Sequence, residues 1–590
     1  MFWKPPKPEM APSPEAMQAR KKLGEKVVSL YKQKKLSAED ISQLLQTADA
    51  AGLEFANPIK KKKSKPAKGS DSEESRDKNA ARSMDRYLRK THQWPDPYWV
   101  QIPMKSPKRR SNDLSQQWLP FLLPHEWLGK FFAQPNAWQE GMPVEGTFNC
   151  KILNEACASN GNPPMTMYPL GLHGDGVPVQ GRMNQSTLDF WSMNLPCSPA
   201  FSAMRIPICC LDTRMIAAET IQAICGILFW SFDCLNKGTF PTARHDGSPW
   251  LKHDAYRKFR AGAALPGKAT LIQIRSDWDW NCKYFGAGTW NEKKGNCWLC
   301  QATPDNWREM SQSMARLEKT MDKDAYLTFL MDRGKSINPL FQLPHVSNGT
   351  IMPDWMHVCD EGSLAVAAGQ ILKELLPSFP GTSQDERCAN LWQEIQKMYE
   401  ERDFPGCKRL KKLTVKDIVK PKKAPVLDCK AHEVRDFCPL LEPLCKRQCL
   451  HEGTWHEKAV YKVAKYCSHM YNSLEASNKQ ELVKAGRKFI SQYMALEAEV
   501  QASDGSEVRL WRSKPKLHLL AHILDLVELG NHPKDSWNYK DETFAGSLQT
   551  LFFRRGGKFQ PGKASEKVLL RWMSATPFPH LGQAKPAMAK

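Results

Sequence analysis

Apolar positions along this chain follow two rhythms that occupy different regions. Runs of a few apolar or alternating residues bounded by Gly, Pro and Asp predict strands, and apolar positions at helical spacing predict helices. From Met165 the segment MTMYPLGLHGDGVPVQG predicts a strand ending at or just past Asp175, with Gly174 and Gly176 as small neighbours that leave room for metal and phosphate beside the carboxylate. Residues 187–193 and 201–210 predict two further strands, the apolar run 215–232 a long buried helix, and residues 269–275 a fourth strand that leads into Asp277 and Asp279. Beyond residue 300 the rhythm is helical: 304–321, 324–331, 361–376, 384–401, 455–473 and 479–500. Near the C-terminus, Asp541 and Glu542 open a helix whose apolar face carries Phe544, Leu548, Leu551 and Phe552.

Three strands, a helix and a fourth strand ending in an acid is the order of a ribonuclease-H-like domain. The predicted fold class is therefore α/β plus α: an RNase-H-like mixed-sheet core interrupted by a large helical insertion, behind a helical and disordered N-terminal region. The boundaries this implies are an N-terminal helical hairpin over 1–57, a basic disordered linker over 58–82 and an irregular lead-in over 83–164, helical over 114–132. The first part of the core follows over 165–300, the insertion over 301–510, the C-terminal part of the core over 511–575 and a tail over 576–590. The linker has almost no large apolar residue with which to offset the entropy of ordering.

Composition adds a partner. The 590 residues carry 84 Lys and Arg against 63 Asp and Glu, a net charge of +21, and cationic surfaces of this size favour nucleic acid. Lys60 to Lys63 with Lys65 and Lys68 form a nuclear-import-like cluster, which predicts a nuclear protein. Lys105 to Arg110 form a second basic cluster. Lys408, Arg409, Lys411 and Lys412, and Arg554 and Arg555 beyond the last predicted acid, are the candidate DNA-backbone contacts. The first ten residues lack a signal-peptide core, and Glu219 and Gln222 inside the apolar run favour a buried helix over a membrane span. The 18 irregularly spaced cysteines fit a reducing compartment in which some thiols are kept for metal.

Two sets of residues carry candidate chemistry. Asp175, Asp277 and an acid on the late helix would suit two Mg²⁺ or Mn²⁺ ions, which prefer oxygen ligands and assist in-line phosphoryl transfer. Asp277 is preferred to Asp279 because it lies nearer the strand end, and Glu542 competes with Asp541 and Asp354 for the third place. Cys297 and Cys300 have zinc-ligand spacing and await His345 or His357, with Cys359 in reserve, while His518 and His522 stand one helical turn apart either toward the active site or in the core. No GxxxxGK[ST], HExxH or GxSxG motif is present.

The blocks LHGDGVPV, RSDWDW, CWLC, MPDWMHVCDEGSL, KLHLLAH and WNYKDETFAG, in this order over roughly residues 165 to 575, resemble the DDE-type transposases of the Plavaka and Kyakuja-Dileera-Zisupton group of eukaryotic mobile elements. The resemblance implies a DNA nuclease and strand transferase using Mg²⁺ or Mn²⁺, with Asp175, Asp277 and Glu542 as its catalytic triad, a cysteine pair after the second acid, and a homodimer that holds two DNA ends. Ser276 before the second acid, and an N-terminal region without a zinc-finger DNA reader, leave a second reading: a catalytically silent, transposon-derived DNA- or chromatin-binding protein.

Overall fold

The computed structural model describes residues 92–106, 113–135, 137–178, 187–198, 202–312, 314–402, 409–420, 423–503, 510–553 and 561–579. The predicted N-terminal hairpin and basic linker, residues 107–110 of the second basic cluster, Lys408, Arg554, Arg555 and residues 580–590 lie outside them.

The chain is mixed α/β, built on a five-stranded mixed sheet. Strands β3 (Tyr168–Pro178), β4 (Thr187–Asn194), β5 (Ile206–Asp212), β6 (Ala269–Arg275) and β7 (Ile351–Met352) lie in the order β5-β4-β3-β6-β7. β4 runs antiparallel to both β3 and β5, whereas β6 is parallel to β3 and β7 parallel to β6. Every residue of β5 and β6 is buried, as expected for strands covered on both faces. In β6, Ile272 packs with Leu153, Ala156 and Cys157 of helix α2 (Phe148–Ser159), while its neighbour Leu271 joins the main core. The period-two alternation thus serves two cores.

The lead-in is more regular than predicted. β1 (Tyr98–Lys105) and β2 (Leu114–Phe121) form an antiparallel hairpin in register Tyr98↔Phe121 through Lys105↔Leu114, and Tyr98, Val100, Ile102 and Met104 face the core. The helix expected from Leu114 starts ten residues later, as α1 (Pro124–Phe132). Two prolines explain the shift: Pro120 cannot sit inside a helix, whereas Pro124 in a first turn lacks only an N–H that would have no helical partner. The apolar run becomes α3 (Ala218–Lys237), which packs against β1 and β6 and ends at Gly238, whose φ of 74° needs a residue without a Cβ. Among the described residues it is the one helix long and apolar enough to cross a membrane, and half of its most apolar window is buried inside this fold.

Past β6 come α4 (Trp278–Phe285), a loop with both cysteines of the CxxC, and α5 (Trp307–Gln312). After β7 the backbone winds with wide i→i+5 turns over Met356–Ser363, kinks at Gly362, and continues as α6 (Leu364–Leu375). The chain then builds α7 (Gln384–Glu401), started by a Ser383–Glu386 capping box, and the packed pair α8 (Trp455–Glu475) and α9 (Lys479–Ser503). The chain returns through α10 (Lys516–Glu528), which packs on α5, α9 and Met356–Ser363. α11 (Tyr539–Phe553) then lies on β3, and α12 (Pro561–Ala575) covers β5 and β2.

Two candidate metal centres

The first centre forms where β3, β6 and α11 meet. His173 of β3 is the register partner of Arg275 of β6, so Asp175 and Asp277, each two residues further on, stand at the same level of neighbouring parallel strands; Asp277 lies past the end of β6, whereas β3 runs three residues beyond Asp175, to Pro178, because it stays paired with β4. Asp277 caps α4 by accepting the backbone N–H of Trp280 at 2.6 Å and is half-buried, whereas Asp279 in the first helical turn is exposed. Glu542 arrives from the first turn of α11, and oxygens of Asp175 and Glu542 lie within 4.8 Å of each other and of a ring nitrogen of His173. Asp277 stands outside that trio but near enough to act on it. Burial, then the charge of Glu542, then that of Asp277 push Asp175 well above the ordinary carboxylate range, against the Gly176 N–H at 2.6 Å and the charge of His357. Burial likewise pushes Glu542 up, opposed by His357 and by a hydrogen bond with Asp175.

The competing acids have other work. Asp541 is fully buried and gripped by Arg205, whose Nη2 lies 3.0 Å away, with Arg275 at 3.6 Å. Burial would raise its pKa, but His173, Arg205 and Arg275 together hold it below the ordinary value. Asp354 accepts the backbone N–H groups of His357 at 3.0 Å and Asn538 at 2.9 Å, and its Oδ2 lies 2.6 Å from His357 Nδ1. Asp354 thus aims the imidazole, whose Nε2 lies 3.7 Å from Glu542. Burial would push His357 down, yet its hydrogen bond to Asp354 and the charges of Asp354 and Glu542 raise it to about 9.

Gly174 does not clear space for phosphate. A Cβ there would lie 1.8 Å from the Trp280 ring, so the bare glycine admits that indole on the face of β3 opposite Asp175. At Gly176 a Cβ would meet Thr187 at 2.9 Å and Asp189 at 3.2 Å.

The second centre joins the loop after α4 to α10. Cys297, Cys300, His518 and His522 are all buried and bring one donor atom each within 4.8 Å of all the others. Cys300 Sγ lies 3.2 Å from His518 Nε2 and 3.3 Å from His522 Nε2, Cys297 Sγ lies 3.5 Å from His522 Nε2, and the two Nε2 atoms are 3.2 Å apart. Bond lengths of about 2.3 Å to sulfur and 2.0 Å to nitrogen in a tetrahedron place donors roughly 3.3 to 3.8 Å apart, so the spacing is compatible with zinc. The surrounding groups suit ligands as well. Ser311 Oγ is 3.2 Å from His518 Nδ1, Asp525 lies 3.8 Å from His522 Nδ1, and the Leu299 N–H points at Cys297 Sγ at 3.3 Å. Asp525 is itself held by Arg316 and by Arg487 at 2.8 Å. Burial would raise the Cys297 thiol, but contacts from Cys300 and from the Leu299 N–H bring it below its ordinary value, whereas the contact with Cys297, then burial, lift Cys300 to about 11.

The cysteines expected to bind metal are thus brought together, with different histidines. His357 belongs to the carboxylate centre. His345 is half-buried in the segment before β7, where burial and Lys323 lower its pKa to about 4, and Cys359 is buried in Met356–Ser363. His518 and His522 face the cysteines, neither the carboxylates nor a purely apolar core. Their i, i+4 spacing was the available signal: it places two imidazoles on one face of a helix, as two ligands of one ion require.

Of the predicted DNA contacts, Lys411 and Lys412 are exposed, while Arg409 turns back onto Tyr399, with a nitrogen 3.4 Å from its carbonyl and the guanidinium over its ring. Neither a scan of protein-family models nor a search of curated proteins produced a match for the chain.

Proposed function

We propose that the chain is a transposase-like DNA nuclease and strand transferase whose Asp175, Asp277 and Glu542 hold two Mg²⁺ or Mn²⁺ ions. One observation carries this reading: three carboxylates from distant segments crowd one end of the sheet, and among the described residues no lysine or arginine forms an ion pair with any of them. Three other buried acids show the contrast, since Asp541, Asp254 and Asp525 are each paired with arginine. A set of mutually repelling carboxylates that offers oxygen donors fits hard divalent cations. The sheet order, with β3 central, two antiparallel strands on one side and two parallel strands on the other, supports an RNase-H-like core interrupted by the helical insertion. So does the block order shared with the Plavaka and Kyakuja-Dileera-Zisupton transposases.

When bound, the two cations would activate the attacking oxygen and stabilise the leaving one in an in-line displacement at a DNA phosphate. The chain's own residues do the rest. Strands β3 and β6 fix Asp175 and Asp277, the Asp541 ion pairs fix the start of α11 and hence Glu542, and Asp354 holds a protonated His357 against Glu542. The cysteine and histidine cluster holds zinc and joins the insertion to the core. DNA is the partner, the nucleus the location, and a homodimer the form that would hold two ends.

The test is nicking of a supercoiled plasmid with Mn²⁺, comparing wild type with Asp277→Asn, alongside DNA affinity across a salt series. Nicking should fall at least about 100-fold in the variant with affinity unchanged. A wild type that binds DNA with a steep salt dependence and never nicks it would sink the catalytic reading in favour of the silent DNA-binding one.

A further inference from the structure

Resting on this reading of the carboxylate centre, we propose that His173 is a nitrogen ligand of the same cation site, making it a mixed nitrogen and oxygen donor set suited to Mn²⁺ above Mg²⁺. His173 lies two residues before Asp175 on β3, and the period of two puts both side chains on one face of the sheet. The imidazole is fully buried, and neither ring nitrogen has a hydrogen-bond partner. A buried polar group left this way costs about 1–3 kcal/mol, so an ordinary core histidine satisfies at least one nitrogen.

Its neighbours explain what the ring awaits. Phe190 packs against it at 5.6 Å between centroids, and the nearby guanidinium groups of Arg205 and Arg275 are committed to Asp541. A ring nitrogen lies within 4.8 Å of oxygens from both Asp175 and Glu542. Donors around one octahedral ion of about 2.1 Å bond length sit roughly 3 to 4.3 Å apart, so a small closure brings all three onto one cation. Imidazole favours transition metals, and Mg²⁺ favours oxygen.

The experiment uses the full chain supplied with one equivalent of Zn²⁺ for the cysteine cluster and Mn²⁺ as the probe, read by electron spin-echo envelope modulation. Bound Mn²⁺ should show ¹⁴N modulation from a directly coordinated imidazole. That modulation should disappear in His173→Gln, with Mn²⁺ affinity down about ten-fold and Mg²⁺ affinity changed much less, and it should persist in His357→Gln, the other histidine at the site. If His173→Gln does not fold, ¹⁵N-histidine labelling of the His357→Gln chain reads the same ligand, since the ¹⁴N signal must be replaced by a ¹⁵N one. Mn²⁺ that binds without nitrogen modulation, or modulation lost in His357→Gln and kept in His173→Gln, overturns the assignment of His173. If that binding is also lost in Asp277→Asn, the carboxylate reading stands without it. No Mn²⁺ binding at all overturns both.

Discussion

The two centres solve opposite problems with similar residue types. The cysteine and histidine cluster is closed: four buried donors point at one another, and Ser311 and Asp525 support its histidines from behind. The carboxylate centre is half-open, its acids repel one another, and His357 faces Glu542 while the charge of Lys516 is felt at Asp277. A closed centre stabilises the fold by being filled; a half-open one holds unsatisfied charge ready for a ligand. They are also linked. Trp298, between the two cysteines, donates its indole N–H to the Ile351 carbonyl of β7 at 3.0 Å, and Asn348 bonds the Trp298 carbonyl at 2.9 Å. β7 leads directly to Asp354 and His357, so the closed centre braces one wall of the half-open one.

The sharpest way to break this contrast is to empty the cluster. Cys297→Ala, or removal of zinc with a strong chelator, should destabilise the chain by about 5 kcal/mol or more in a denaturant titration, with one zinc per chain lost in elemental analysis. Unchanged stability would mean the cluster is not a structural metal site. Next come two adjacent acids. Asp541→Asn strands Arg205 and Arg275 as buried charges and should cost about 3–5 kcal/mol. Glu542→Gln relieves repulsion with Asp175 and should change metal-free stability by less than about 1 kcal/mol, in the stabilising direction.

The third prediction uses pH on metal-free protein. His357 has a folded pKa of about 9 against an ordinary 6.5, so the folded state retains a proton that the unfolded chain releases. Its stabilisation is fully present below about pH 6.5 and disappears as pH rises through 9, on the order of 3 kcal/mol in all. Melting curves from pH 6 to 10 should show this loss in wild type and lack it in His357→Gln. A change confined to the cluster is Ser311→Ala, which removes the hydroxyl behind His518 and should weaken zinc about ten-fold in a competition titration while leaving the fold intact.

The elements whose pattern is purely local were legible. β6 spans 269–275 and α7 spans 384–401, as predicted, because each is a continuous periodic run with clear stops, and α7 begins at the Ser383–Glu386 box. What depends on tertiary pairing was not. The β1–β2 hairpin hides behind Pro103 and Pro120, and β7 has two residues, too few for any period to register. The expectation of a mixed sheet rested on four strands; the fifth emerges only through pairing with β6. At the sites, Asp277 was readable as an acid just past the end of β6, whereas Asp175 lies inside β3, which pairing with β4 carries on to Pro178. Ranking Glu542 against Asp541 and Asp354 required knowing which carboxylates already have partners: Arg205, more than 300 residues away in sequence, for Asp541, and His357 and two backbone N–H groups for Asp354. The histidines expected beside the cysteines were mispaired for the same reason: His345 and His357 lie nearer the cysteines along the chain, but α10 lies nearer in space.

Asp541 also sets the angular timing of its helix. Successive residues on an α-helix are turned by about 100°, so locking Asp541 onto Arg205 and Arg275 leaves Glu542 a single direction in which to point. Glu542 is therefore indexed to the sheet itself through its neighbour on the helix. The buried ion pair is in that sense the mounting bracket of the helix that carries Glu542.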